Sequence, residues 1–210
     1  MKLYHANGSP NSRRVRILLA EKGLDVPLIP VVLGTREQFS DAYRSINPRV
    51  VVPTLVLDDG TAIGETPVIM RYLDDAFAQT PLFGTTAQEK AIVAMWERRA
   101  ETEGFAAVME GVRNAAAGLK GRAVSGPHGY EQIPELVERS KRRVANFYDD
   151  IEARLSSVPF VAGEFYTAAD ITALVAVDFA MRAFAMPIPE QHVAVRRWYE
   201  RVSARPSAAA

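Results

Sequence analysis

Apolar residues follow two different spacing patterns along this chain. Within residues 1–80, short apolar runs alternate with segments of helical spacing, whereas from residue 87 onward only helical spacing remains. Alternating strand and helix patterns are typical of an α/β domain, and an unbroken series of helical patterns is typical of an all-α domain. We therefore predict an α/β domain over 1–80 and an all-α helical bundle domain over 87–210.

The first half is predicted to follow the order β-α-β-α-β-β-α. Gly23 stands where a glycine would cap the first helix, and Asn47-Pro48 ends the second. Asp59-Gly60 lies between two short apolar runs and predicts a β-hairpin. Thr66, directly before Pro67, is predicted to be the N-cap of the third helix. The strands are predicted over 2–5, 28–33, 54–57 and 61–63, and the helices from near Arg13, over 36–46 and from Pro67.

The second half is predicted to consist of helices joined by loops. Residues 87–117 contain no proline and predict one long helix, and the composition of 118–130 predicts a loop. Thr167 and Asp170 have the spacing of a capping box ahead of an apolar run. Further helices are predicted from Ile133 and over 194–202, and the terminal PSAAA is expected to fray.

Composition excludes several classes of function. The 210 residues carry 25 Lys+Arg and 25 Asp+Glu, so net charge gives no reason to expect nucleic acid or an anionic membrane as a partner. There is no cysteine, which excludes disulfides, a cysteine nucleophile and cysteine-ligated zinc. Three scattered histidines do not predict a metal site. With no leader-like start and no long apolar run, the chain is predicted to be a soluble cytoplasmic protein.

Three features of the first half could form one site. The polar turn 9–12 and the pair Glu65-Thr66 each precede a helix, and helix N-termini bind anions. Pro53 comes directly before a strand, where a cis bond to Val52 is tolerated. A cis bond would leave the backbone of Val52 free to pair with an extended peptide. These features predict a site for a small, anionic, peptide-like ligand.

Four stretches carry a family resemblance, in an order and spacing that cover nearly the whole chain: SPNSRRVRILLAEKG, NP-x3-VPTLVLDDG, ETPVIMRYL and VAGEFYTAADI. They resemble the cytosolic glutathione S-transferase family, in a bacterial-like form of the Ser type rather than the Cys type. The resemblance implies a thioredoxin-like domain that holds glutathione as co-substrate, with no metal. It also implies a helical domain that forms the pocket for a hydrophobic electrophilic substrate, a homodimer and a role in detoxification.

The resemblance assigns roles to individual residues. Ser9 matches the catalytic hydroxyl, and Val52 the residue whose backbone pairs with the cysteinyl part of glutathione. The remaining matches are Pro53 as the cis-proline, Glu65 and Thr66 for the γ-glutamyl end, and Gln38 for the glycyl end. The sequence departs from the family at 49–51, where Arg-Val-Val replaces a glycine followed by a polar residue.

Other residues compete for these roles. Asn11 and Ser12 share the turn with Ser9, and each of the three could simply cap the helix. A water held by Ser125 and His128 in the loop is a further candidate for activating the thiol. Near the pocket of the helical domain we expect Met95, Trp96 and Arg99, although the charges of that helix also fit a solvated face.

The expected reaction is attack of the glutathione thiolate on an electrophilic small molecule or a peroxide. Without a cysteine the chain cannot form a mixed disulfide with glutathione, although disulfide reduction by two bound glutathiones stays open. The alternative class is a non-catalytic ligand-binding or interaction protein with the same fold. The departure at Val50-Val51 is the feature that favours this alternative.

Overall fold

The computed structural model describes residues 1–210, which form two compact units. The first unit contains residues 1–80 together with Ser125–His128 and Ala210, and the second contains 81–124 and 129–209. None of the helices has both the length and the hydropathy needed to cross a bilayer.

The first unit is a four-stranded sheet with helices, and its element order is the predicted one. The strands lie in the order β2-β1-β3-β4, with β1 parallel to β2 and antiparallel to β3. This confirms the predicted thioredoxin-like α/β half. The elements are β1 Lys2–His5, α1 Pro10–Lys22, β2 Leu28–Pro30, α2 Asp41–Arg44, β3 Thr54–Val56, β4 Ala62–Ile63 and α3 Thr66–Ala76.

Two helices of this unit begin earlier than predicted. Helix α1 begins at Pro10 rather than near Arg13, because a proline at the first helical position has no N–H to leave unsatisfied. Helix α3 begins at Thr66, so the prediction of Thr66 as its N-cap is wrong. Glu65 takes the cap position with φ 62°, and its side chain makes no capping hydrogen bond. The C-cap of α1 is the predicted one, since Gly23 has φ 62°.

The segment between β2 and β3 is more broken than predicted. Strand β2 ends at Pro30, and the helix predicted over 36–46 is replaced by a 3-10 turn, Glu37–Phe39, followed by α2. The cause is an N-cap residue, Ser40, inside the segment that was predicted to be one helix. Ser40 has an extended backbone, and its hydroxyl accepts a hydrogen bond from the Tyr43 N–H at 3.2 Å, which starts α2 afresh.

The second unit is all-helical, as predicted. Its longest helix begins at Glu135 rather than at the predicted Ile133, which is 50% exposed. The buried apolar residues of this helix are Val144, Phe147, Tyr148, Ile151 and Leu155. The helices are α4 Ala87–Arg99, α5 Ala106–Ala115, α6 Glu135–Leu155, α7 Ala168–Ala183 and α8 Val193–Ser203.

The helix predicted over 87–117 is not continuous. Residues Ala100–Phe105 form a π-helical segment between α4 and α5, and α5 ends at Ala115. Two contacts fix the segment against α6. Gly104 lies so close to the Phe147 ring that an added Cβ would be 2.7 Å from it. The Arg143 guanidinium donates to the Thr102 carbonyl at 2.6 Å, which satisfies a backbone group at the irregular turn.

Asp170 is the buried polar centre of the second unit. Its carboxylate accepts hydrogen bonds from the Thr167 N–H at 2.9 Å, the Val161 N–H at 2.9 Å and the Trp198 indole at 2.8 Å. The predicted capping box at Thr167 is present. Asp170 therefore joins the start of α7 to α8. Burial raises the pKa of this carboxyl to about 6, against the opposing effect of its hydrogen bonds.

The C-terminus is ordered, so the prediction that PSAAA frays is wrong. Pro206–Ala209 forms a 3-10 turn, and Ser207 and Ala208 are buried. Burial of two small side chains and a backbone hydrogen bond from the Ala208 N–H to the Arg205 carbonyl stabilise this turn.

Candidate functional site

Ser9 is the N-cap of α1 and keeps a hydrogen-bond donor available. Its hydroxyl oxygen accepts the Ser12 N–H at 3.3 Å, and its own N–H donates to the Ala6 carbonyl at 3.0 Å. A hydroxyl that accepts through a lone pair can still donate its proton. Ser9 can therefore cap the helix and donate to a ligand at the same time.

The other two residues of the turn are engaged elsewhere. Ser12 is fully buried, and its hydroxyl oxygen accepts the Ala6 N–H at 3.2 Å. The Asn11 side-chain oxygen accepts from the Arg14 guanidinium at 3.3 Å. Each of the three side chains thus accepts a hydrogen bond within the protein, and Ser9, at 8% exposed, is more accessible than the fully buried Ser12.

Sequence reasoning missed the residue that braces this turn. Arg16, in the second turn of α1, donates to the carbonyls of Ala6 and Asn7 at 3.3 and 3.4 Å, and its guanidinium lies 3.3 Å from the His5 Nδ1. Burial, and then the charge of Arg16, lower the pKa of His5. The loop that carries Ser9 is thus held by a cation.

Val52 turns its side chain inward and leaves its backbone unpaired. The side chain packs in a buried cluster with Ala6, Val31 and Tyr43. The bond to Pro53 is cis. Neither the N–H nor the C=O of Val52 forms a hydrogen bond within the protein. Because Ala6 also bonds to Ser9, the structure places the Ser9 turn and Val52 around one shared residue.

The Glu65-Thr66 pair presents further unpaired backbone groups. Glu65 is exposed, whereas Thr66 is buried. The N–H groups of Thr66 and Val68, in the first turn of α3, have no partner within the protein. Gly64 lies beside Asn47, with 3.9 Å between a Cβ built there and the Asn47 Nδ2. The start of α3 therefore lies next to the loop that leads to Val52.

Gln38 is buried but is not joined to the other candidates by a hydrogen bond. It is 8% exposed, and its side-chain oxygen has no hydrogen-bond partner. It lies in the 3-10 turn after Arg36, which has φ 60°. A buried carbonyl without a donor is costly, so this side chain has an unmet requirement for a hydrogen-bond donor.

Strained backbone is concentrated around these residues. Four non-glycine residues have φ in the left-handed region, and three of them, Arg36, Val50 and Glu65, are within two residues of Gln38, Val52 and Thr66. The conformation is particularly unfavourable for a β-branched residue such as Val50. Strain of this kind persists only where the surroundings impose it, and it clusters at functional sites.

The loop segment Ser125–His128 belongs to the first unit rather than to the helices on either side of it. Gly126 lies near Arg49, since a Cβ built on this glycine would be 3.5 Å from the guanidinium. His128 is exposed. The Ser125–His128 segment therefore lies beside the loop that precedes Val52, with the His128 side chain exposed to solvent.

In the second unit, Trp96 lies between two cations. The guanidinium carbons of Arg99 and Arg154 are 4.6 and 4.7 Å from its ring centroid. Arg99 also pairs with Glu103 at 3.3 Å, and Met95 is exposed. The residues of α4 expected near the pocket thus include a half-buried aromatic ring in contact with two guanidinium groups. No group of three or more His, Asp or Glu side chains is arranged to hold a metal ion.

Comparison with known proteins identifies both units. The model of the glutathione S-transferase N-terminal domain matches residues 3–81, and that of the C-terminal domain matches residues 92–206. Glutathione S-transferase 2 of Saccharomyces cerevisiae is 32% identical over 210 residues, which is 99% of this chain and 87% of the yeast protein.

Solved structures of glutathione S-transferases have the same fold as this chain. A glutathione S-transferase domain-containing protein of Marinobacter aquaeolei VT8 superposes with a TM-score of 0.90 at 36% identity, over 99% of each chain. A Gtt2-class glutathione S-transferase of Vibrio parahaemolyticus gives 0.83 at 32% identity, over 99% of this chain and 94% of that one. With both domains matched and full-length relatives above 30% identity, this chain belongs to the glutathione S-transferase family of enzymes.

Proposed function

We propose that this enzyme activates the thiol of glutathione for attack on an electrophilic small molecule or a peroxide. The observation that carries the proposal is the arrangement of unpaired polar groups in the first unit. The Ser9 N–H donates to the Ala6 carbonyl, and the Val52 side chain packs in one buried cluster with Ala6. The unpaired N–H groups at the start of α3 lie next to the loop that leads to Val52. These are donors and acceptors suited to an extended, anionic tripeptide.

In this proposal each group binds one part of glutathione. The Val52 N–H and C=O pair with the cysteinyl part, and the start of α3, with Glu65 and Thr66, takes the γ-glutamyl end. The Gln38 side chain takes the glycyl residue, whose amide N–H would supply the donor that the buried Gln38 oxygen lacks. Pro53 ends the loop that presents Val52. Residues 1–80 thus hold glutathione, and residues 87–210 supply the pocket for the second substrate.

Ser9 lowers the pKa of the bound thiol. A free thiol has a pKa of about 8.5, and lowering it by about 2 units requires roughly 2.7 kcal/mol in favour of the thiolate. A hydrogen bond donated to a charged acceptor contributes about 1.5–3 kcal/mol, and the N-terminus of α1 adds a favourable dipole. Ser9 is a donor here and not the nucleophile, which is the glutathione sulfur.

A second candidate for thiol activation is the Ser125–His128 segment. The observation that favours it is its place in the first unit, with Gly126 beside Arg49. An exposed histidine and a serine could orient a water toward the sulfur. This candidate changes the activating group but not the substrate or the reaction.

We also propose a cytoplasmic homodimer. The family resemblance supports it, and so does the pair of exposed apolar residues Ile92 and Met95, three positions apart on α4.

The test of the proposed function has two steps. The purified chain is first applied to immobilised glutathione, where we expect retention and elution by free glutathione. It is then assayed with a reactive aryl halide and with an organic hydroperoxide, where we expect turnover with at least one. Retention without turnover on either, or on a small disulfide, would instead support the non-catalytic alternative. Failure to bind glutathione would overturn the assignment of the site.

A further inference from the structure

The carbonyl of Val51 is held by a buried polar cluster that the sequence analysis did not single out. The Tyr43 hydroxyl donates to this carbonyl at 2.6 Å, and the Asn47 amide donates to it at 3.1 Å. The Thr54 hydroxyl lies 3.0 Å from that of Tyr43 and accepts from the Asn47 amide at 2.8 Å. The three side chains are 4%, 6% and 1% exposed. We call Tyr43, Asn47 and Thr54 the Val51 clamp.

The clamp determines the direction of the next N–H group. The Val51–Val52 peptide bond is trans, because the cis bond of this loop is the following one. In a trans peptide the C=O and N–H point in opposite directions. Since the Val51 carbonyl points into the clamp, the Val52 N–H points away from it. That N–H has no partner within the protein.

The clamp surrounds the Val51 carbonyl with hydrogen-bond donors. Beside the Tyr43 and Asn47 donors, the Thr54 hydroxyl lies 3.4 Å from the Val51 carbonyl oxygen, within reach of a longer hydrogen bond. Burial raises the pKa of Tyr43, which keeps its hydroxyl protonated and able to donate. The Asn47 side chain also holds the strained turn before the carbonyl, because its oxygen accepts the Arg49 N–H at 2.9 Å.

From these contacts we infer that Tyr43 and Asn47 are positioning residues for glutathione binding, which act through the Val51–Val52 peptide without touching the ligand. The inference rests on the proposed function, in which the Val52 backbone pairs with the cysteinyl part of glutathione. It extends the site to α2, an element to which the sequence assigned no role. A free Val51 carbonyl could rotate, and the Val52 N–H would then be presented to the ligand only part of the time.

Two variants test the clamp in the full-length enzyme. Tyr43→Phe removes the hydroxyl and keeps the ring. Asn47→Asp keeps the acceptor for Arg49 but replaces the amide donor by a carboxylate oxygen that repels the Val51 carbonyl. One net hydrogen bond corresponds to roughly 2- to 13-fold in affinity. We expect the glutathione Kd, measured by calorimetry, and the KM for glutathione to rise about 10-fold in each variant.

The pattern of kinetic constants separates positioning from loss of fold. At saturating glutathione, kcat and the KM for an aryl halide should stay within a factor of about two, because Ser9 and the second substrate are untouched. Tyr4→Phe is the matched control. The Tyr4 ring packs edge-on against Tyr43, but its hydroxyl makes no hydrogen bond. This variant should bind glutathione like the parent.

The outcomes are distinguishable. If the parent enzyme does not bind glutathione, the proposed function fails before the clamp is tested. If the parent binds and both folded clamp variants keep its Kd, the inference is wrong. It is equally wrong if Tyr4→Phe raises Kd as much as Tyr43→Phe, or if the clamp variants lower kcat at unchanged KM. Thermal melts identify a variant that is not folded, and the other clamp variant then decides.

Discussion

The Ser9 hydroxyl accepts the backbone N–H of Ser12 at 3.3 Å, so the cap of α1 and the proposed thiol donor are the same side chain. Replacing Ser9 by alanine would therefore change helix stability and chemistry together. Glycine is a better probe, because it serves as an N-cap at a cost of only a few tenths of a kcal/mol relative to serine, and it has no hydroxyl.

We predict that Ser9→Gly lowers turnover at neutral pH by roughly 10- to 100-fold, the equivalent of one hydrogen bond to a charged acceptor. Glutathione affinity should stay within a few fold, because the proposed site assigns the binding to Val52, Glu65 and Thr66. The loss should shrink as the pH approaches about 8.5, where free thiolate forms without help. A pH–rate profile with an aryl halide measures both effects.

Ser9→Thr and Ser12→Ala are the controls for this prediction. Ser9→Thr keeps both the cap and the donor, so it should retain most activity. Ser12→Ala leaves the buried Ala6 N–H without its acceptor, which should cost about 1–3 kcal/mol of stability but little turnover. If Ser9→Gly retained parental activity, the activating group would lie elsewhere, and alanine variants of Ser125 and His128 would be the next measurement.

A second prediction concerns the ion pair between Lys22 and Asp74. The Lys22 ammonium lies 2.8 Å from the carboxylate, and the two side chains are 1% and 4% exposed. Removing one charge of a buried pair is strongly destabilising. Lys22→Met should therefore lower the free energy of unfolding by about 3–5 kcal/mol, measured by urea denaturation.

The double variant Lys22→Met/Asp74→Leu is the control for the ion pair. With both charges replaced by apolar groups of similar size, no unpaired charge stays buried, so the double variant should be more stable than Lys22→Met. If the double variant were less stable than Lys22→Met, the pair would contribute more than the cost of burying its charges. The prediction would then be contradicted.

The third prediction is a pH dependence set by Asp170. Burial raises the pKa of its carboxyl in the folded enzyme to about 6, above the ordinary value of 3.8. The folded state therefore binds the proton more tightly than the unfolded state. The stability that this group contributes is fully present below about pH 4 and is lost as the pH rises to about 6. The full difference of about two units corresponds to roughly 3 kcal/mol.

Asp170→Asn provides the comparison because it does not titrate. Its amide cannot accept from all the donors that surround the carboxylate, so the variant should be less stable at every pH. The stability gap between parent and variant should be about 1–2 kcal/mol larger at pH 5 than at pH 7. Equal gaps at the two pH values would mean that the carboxyl titrates below pH 5 in the folded enzyme.

The fourth prediction is the oligomeric state. Light scattering at micromolar concentration should give twice the chain mass of 23.1 kDa. Because Ile92 and Met95 are exposed and apolar, a charge at each position should shift the enzyme toward the single-chain mass. A parent enzyme that has the single-chain mass from the start would refute the proposed homodimer.

Local sequence signals were sufficient to predict the ends of helices and the turns where a residue type has a single common structural role. Gly23 ended α1, and Asp59-Gly60 turned the hairpin between β3 and β4. The spacing of Thr167 and Asp170 likewise predicted the capping box that starts α7. The errors came where two local signals compete. Ser40 restarted a helix inside a segment of continuous helical spacing, and the π-helical turn after Arg99 left the apolar pattern of the long helix almost unchanged.

The sequence singles out the residues of the proposed site but not the contacts that support them. Ser9, Val52 and the Glu65-Thr66 pair stand out in the sequence because they adjoin helix and strand starts. For Tyr43, by contrast, nothing in the neighbouring sequence indicates that its hydroxyl reaches the Val51 carbonyl. That contact depends on how α2 packs near β3, which is a tertiary property that no local pattern records.

The π-helical turn Ala100–Phe105 also determines where this chain can lose a residue. A π-helical turn contains about one residue more than the α-helical turn it replaces, so deleting one residue within it would let the turn close as ordinary α-helix without rotating α5. Glu110 would still face Ser140, whose hydroxyl donates to it at 2.9 Å, and Gly111 would stay against the Phe184 ring. The same deletion inside α5, ahead of Glu110, would instead turn both residues by about 100° and break both contacts.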